Sequence, residues 1–85
     1  MKIAYHANFR RQFKKLHRDI QLMALHKEKI FRIDPFDKSL ETHKLRGPFK
    51  DSWAFSVNNR YRIVFDFVSN NLVLFFAIGT HDIYK

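Results

Sequence analysis

Arg62, His81 and His43 are the side chains of this 85-residue chain best suited to work on a phosphodiester. Arg62 lies inside the alternating run Tyr61-Arg62-Ile63-Val64-Phe65, whose other face is aromatic and aliphatic. A charge placed there projects from the sheet face that points away from any covering helices. Its forked guanidinium donors suit two phosphate oxygens. The ordinary alternative is a surface arginine paired with Asp66, two positions further along the same face. His81 follows Gly79-Thr80 at the end of an apolar run, and an imidazole there can give or take a proton near neutral pH. His43 opens the basic loop His43-Lys44-Leu45-Arg46-Gly47. Taken singly, each histidine is better read as a solvated surface residue. Taken together, the three meet the needs of metal-independent RNA cleavage. That reaction takes a base for the 2′-hydroxyl, an acid for the 5′-oxygen and a cation on the phosphate. His43, Arg62 and His81 suffice if the fold brings them together.

Lys44, Arg46 and Lys50 form a short basic cluster leading into the sheet, and Arg60 stands near Arg62. A charge run is ordinarily a solvated face. Here it could hold an RNA backbone, and Tyr84 near the end of the chain could stack on a base. Trp53 reads as core. His6, His17 and His26 read as surface residues at strand and helix ends, with no role. No Ser-His-Asp arrangement, glycine-rich phosphate loop or paired-carboxylate signature is visible. No histidine pair has a ligand spacing with carboxylate support and there is no Cys, so neither a metal nor another cofactor is expected.

Positioning these groups falls to a small set of elements. Lys2 to His6 fits a strand. Phe9, Phe13, Leu16 and Ile20 recur at helical spacing after Asn8, which reads as an N-cap, with Arg10, Arg11, Lys14, Lys15 and Arg18 on the other face. Asp19 reads as the N-cap of a second helix, which runs to about Ile33 and stops at Asp34-Pro35. Residues 36–51 are polar and irregular, with a turn signal at Gly47-Pro48. From Ser52 the period becomes two. Trp53, Phe55 and Val57 alternate with Ala54 and Ser56, and Asn58-Asn59 makes a turn because Asn tolerates positive φ. Tyr61, Ile63, Phe65 and Phe67 share one face of the next strand, and Arg60, Arg62, Val64 and Asp66 share the other. Leu72 to Ile78 is apolar throughout, as in a strand covered on both faces, and Gly79 ends it. The expectation is one α+β domain spanning 1–85: an N-terminal strand, a helical hairpin, then an antiparallel three-stranded meander, in the order β-α-α-β-β-β.

Composition bounds the partners. The net charge of +8 points to nucleic acid first, an acidic protein second and an anionic membrane surface a distant third. The excess is uneven. Residues 1–50 hold 13 Lys/Arg against 5 Asp/Glu, and residues 51–85 hold 3 against 3. The absence of Cys in so small a domain suits a reducing cytoplasm. No apolar run reaches the roughly 20 residues of a membrane span. Lys2, His6, Arg10 and Arg11 interrupt any signal-peptide core.

The string His43-Lys44-Leu45-Arg46-Gly47, then Trp53 with its alternating neighbours, then Tyr61-Arg62-Ile63-Val64-Phe65, then Ile78-Gly79-Thr80-His81 with Tyr84 near the end, resembles the RelE/ParE toxin superfamily. The resemblance is nearest to the RelE, YoeB and YafQ branch and covers essentially the whole chain. It implies a ribosome-dependent endoribonuclease that cleaves mRNA, with a cognate acidic antitoxin wrapping it. It also implies that Arg62 stabilises the phosphate transition state, that His81 is acid or base, and that His43 lies at the site. Four positions depart from the family pattern. The YafQ-like branch has a histidine at Ser56, an Asp at Arg60 and an arginine at Ala77, and the RelE branch has lysines at Ala54 and Ser56. A gyrase inhibitor of the ParE kind and a non-enzymatic basic RNA- or protein-binding module are the competing readings.

Overall fold

The computed structural model describes residues 1–84. Its elements are β1 (Lys2–Tyr5), α1 (Ala7–Lys14), α2 (Arg18–Ile33), β2 (His43–Lys44), β3 (Trp53–Ser56), β4 (Tyr61–Ser69) and β5 (Leu72–Thr80). Single 3₁₀ turns lie at Lys38–Leu40, Gly47–Phe49 and His81–Tyr84. The architecture is the expected α+β one, with one addition. The two-residue strand β2 pairs antiparallel with β3 and extends the sheet to five strands, ordered β1-β5-β4-β3-β2. A two-residue strand carries no periodicity, so nothing in the sequence announces it.

The helical hairpin covers one face of this sheet. The period-two faces assigned from sequence hold: Trp53, Phe55, Tyr61, Ile63 and Phe65 join Phe9, Phe31, Val73 and Phe75 in the main core. Phe31 from α2 is fully buried at its centre, its ring within 5.5 Å of those of Phe55, Phe65 and Phe75. Stacked and edge-on ring pairs of this kind add to the area term.

Both helix starts differ from the sequence reading. Histidine caps each of them. His6 Nδ1 accepts from the Asn8 amide at 3.0 Å, and His17 Nδ1 accepts from the Asp19 amide at 3.1 Å. An imidazole lone pair can satisfy an orphan helix N–H as a carboxylate or hydroxyl does. Asn8 is thereby freed for a different task. Its side chain donates to the Phe76 carbonyl, and Gln12 Oε1 accepts from the Ile78 amide at 2.9 Å. β1 pairs with β5 only as far as Phe75, so these two α1 side chains satisfy the edge of β5 that β1 leaves open.

β5 also continues past the expected stop, through Gly79 to Thr80. A register shift between Val64 and Phe65 leaves Phe76 as an extra residue opposite β4.

Candidate functional site

The sheet face away from the helices carries a second, smaller cluster. Leu45, Ala54, Val64 and Ala77 are buried there, with Phe49 and Ile83 packed against them. Gly47, at φ +69°, turns the 45–51 segment so that Phe49 folds back onto the sheet. The far side is closed by the His81–Tyr84 turn through Ile83. The middle of this face is thus apolar and filled, and the polar groups stand at its margins.

Three of the four departures from the family pattern fall at buried positions. Ala54, Ser56 and Ala77 are all buried, Ser56 at 5% exposure. A lysine or arginine at these places would have to lose its water. Arg60, the fourth, is exposed.

Arg62 stands on this outer face, opposite Ser56 on β3 and Gly79 on β5. It does not pair with Asp66, whose carboxylate accepts from the Ser52 hydroxyl instead. Its guanidinium is fastened through one nitrogen. Nη1 donates to the carbonyls of Asn58 (2.5 Å) and Tyr61 (3.1 Å) and to Ser56 Oγ (3.4 Å). Nε and Nη2 carry no hydrogen bond among the described residues. Two forked donors therefore remain for an anion, on a side chain whose orientation is already set.

Asn58 organises that arrangement, and by a different route from the one expected. The turn residue is not at positive φ; among the described non-glycine residues only Glu41 is. The Asn58 side-chain oxygen accepts from the amides of Arg60 (2.9 Å) and Tyr61 (2.8 Å), closing the turn. Its carbonyl meanwhile receives Arg62 and the Ser56 hydroxyl, the latter at 2.8 Å. Ser56 and Asn58 thus hold Arg62 in place, a part that sequence reasoning missed. The turn signal marked Asn58 without saying what its carbonyl held.

Arg60 and His81 line one open groove of about 320 Å³ with Asn59, Thr80 and Asp82. It lies at the end of the β4–β5 ladder, one step beyond the Tyr61–Thr80 pair and next to the Asn58 turn that holds Arg62. Arg62, Arg60 and His81 are therefore brought to one end of the sheet. His43 is not. It pairs with Ala54 on β2, at the opposite margin of the filled cluster. Three strand spacings separate β2 from β5, about 14 Å at roughly 4.8 Å each. His43 thus lies apart from the end of the sheet that carries Arg62 and His81.

The expected backbone-holding residues divide likewise. Arg46 and Lys50 are exposed around the Gly47–Phe49 turn, while Lys44 is exposed on the Trp53 side of β2. Arg60 is exposed at the groove. The Tyr84 side chain lies outside the described residues. Among the described residues no helix is long and apolar enough to cross a membrane.

Solved structures share this fold from end to end. YafQ from E. coli superposes with a TM-score of 0.77 at 18% identity, covering 98% of this chain and 96% of that one. A YoeB/ParE toxin from Agrobacterium tumefaciens gives 0.79 at 13% identity, covering 95% and 99%. The chain has the RelE-like fold. A DinJ–YafQ toxin–antitoxin complex from E. coli matches through a chain with the same RelE-like fold, at a TM-score of 0.69 and 20% identity, over 96% of this chain and 93% of that one. No protein-family model and no curated protein sequence matches the chain.

Proposed function

We propose that this protein is the toxin of a toxin–antitoxin pair, an endoribonuclease that cleaves mRNA on the ribosome by metal-independent acid–base chemistry. The observation that carries the reading is Arg62. It is an oriented arginine without a carboxylate partner among the described residues, beside a groove lined by a histidine, on a fold shared with YafQ and YoeB. In this reaction the 2′-oxygen forms a bond to phosphorus as the bond to the 5′-oxygen breaks. One proton leaves the 2′-hydroxyl and one reaches the 5′-oxygen. Arg62 stabilises the charge that grows on the phosphate, and His81 moves one of the two protons. The second proton falls to a group of the ribosome, which makes the activity depend on the ribosome. His43, across the filled cluster, contacts the RNA chain away from the scissile bond, alongside Arg46 and Lys50. Lys44 and Tyr84 add backbone and base contacts.

An acidic antitoxin suits the other side of the molecule. An apolar groove of about 530 Å³ lies between α1 and α2, with Phe9, Phe13 and Leu25 in its walls and Arg10 and Lys14 beside them. Its apolar walls and basic neighbours fit a segment carrying both apolar and acidic side chains.

The test is induction in cells followed by primer extension of mRNA. Wild type should give codon-phased cuts, and Arg62→Ala and His81→Ala should each reduce them by about a hundredfold or more while remaining folded. Phased cuts that persist at wild-type level in the double variant would falsify the mechanism. Inhibition of purified gyrase without any RNA cuts would instead support the ParE-like alternative.

A further inference from the structure

Gly79 and Gly47 are glycines for different reasons. Gly47 needs its positive φ and has nothing within 4 Å of where a Cβ would stand. Gly79 needs space. A Cβ there would collide with Cγ2 of Ile83. Ile83 is therefore seated in a notch that the missing side chain leaves in β5. The same residue packs against the buried outer cluster around Val64 and Ala77.

That seat has a consequence for His81. The His81–Tyr84 turn is one short 3₁₀ segment, and such a segment has little stability of its own. His81 is exposed, so its own burial cannot fix it. Ile83, two residues on, supplies an apolar anchor to the sheet. The strand position beneath it is the register partner of Arg62. One contact thus ties the turn bearing the proton-transfer group to the ladder bearing the phosphate-binding group.

We propose that Ile83, seated over Gly79, is a positioning residue that holds the His81 turn at the Arg62 end of the sheet. Its consequence for catalysis rests on the endoribonuclease reading above; the seat itself is a property of the protein alone. Loss of the seat leaves the basic RNA-holding residues untouched and loosens the turn that carries the imidazole, so kcat falls rather than KM rising.

The experiment is a double-mutant cycle on the intact chain, read in two ways: hydrogen exchange of the amides of residues 81–84, and ribosome-dependent cleavage. Ile83→Ala and Gly79→Ala should each speed exchange of the turn and lower kcat about ten- to hundredfold, with KM little changed. The pair should be better than Gly79→Ala alone. With Ile83 cut back to its Cβ, the methyl at position 79 meets that atom at 3.8 Å, an ordinary contact. Should Gly79→Ala not fold, Ile83→Val serves instead. It keeps the branch methyl over Gly79 and should recover most of what Ile83→Ala loses. Turn exchange at the wild-type rate in Ile83→Ala overturns the seat. A loosened turn with unchanged kcat overturns the positioning role, and so does a double variant worse than either single one. A protected turn in a wild-type protein that cuts no RNA overturns the endoribonuclease reading and leaves the seat standing.

Discussion

Single residues in this protein take their meaning from what they touch. Arg62 is set apart by its acceptors, which are carbonyls and a hydroxyl rather than a carboxylate. A carboxylate partner would neutralise it; carbonyl partners hold it in place and leave its charge for an anion. Tyr5 illustrates a polar group fixed the other way. Its hydroxyl donates to the Glu28 carboxylate, with Arg32 alongside both. Burial, and then the Glu28 carboxylate, push its phenol above the ordinary value. A raised folded-state value favours the neutral phenol. Its contribution to stability is therefore complete below about pH 10, where the unfolded phenol titrates, and is lost as pH rises through the folded value. Phenolate absorbance should show a tyrosine titrating above the ordinary value that is lost in Tyr5→Phe, and denaturant melts should show stability falling on that alkaline limb. Tyr5→Phe should flatten the limb and cost about 1 kcal/mol at neutral pH, from the lost hydrogen bond to a partly exposed charged group. A limb unchanged by that substitution would show that some other group is responsible.

At the scale of elements, the fold depends on side chains that finish what backbones cannot. α1 is only eight residues long, too short to persist by itself. Phe9 packs it into the core, and Asn8 and Gln12 bind it to the open edge of β5. Gln12→Ala leaves the buried Ile78 amide without its acceptor, which should cost about 1–3 kcal/mol. The measurement is hydrogen exchange, with the Ile78 amide accelerated more than amides in the centre of β4. Equal acceleration everywhere would mean that Gln12 contributes only to global stability. Little of this was legible beforehand. Asn8 reads as a cap because its position before a helical run is the usual place for one. His6 takes the cap because the helix starts at Ala7 and its imidazole lone pair reaches the Asn8 amide, and the Asn8 side chain then turns to the sheet. Which of two nearby polar residues caps a helix depends on the neighbouring strand, and local spacing carries no record of that strand.

For the molecule as a whole, the positive charge is split between two faces. The basic residues of α1 and α2 lie on the side of the sheet opposite Arg62. Under the proposed function, Arg46, Lys50, Arg60 and Arg62 are the cations that the outer face and its margins would offer to RNA. With about four phosphate contacts, the logarithm of affinity for single-stranded RNA should fall with the logarithm of salt with a slope of roughly −3. A filter-binding titration over a range of salt checks this. A slope near zero would remove nucleic acid from the outer face. A slope much steeper than −3 would mean that the helical face binds RNA as well.

The sequence alone determined the layers. Helical spacing in residues 9–33 and the period of two from Trp53 onward settle which side chains face inward, because burial imposes those periods directly on the chain. They also placed Arg62 on the outer face, and that position is the feature on which the functional reading rests. Tertiary structure decided what alternation leaves open: β5 extends to Thr80, Ile83 fills the space above Gly79, and small residues lie under the 45–51 segment. It also put His43 three strands from the strand that leads to His81. These outcomes follow from strand register and from the folding back of two irregular segments. Both are fixed by contacts between residues distant in the chain, so no local pattern encodes them.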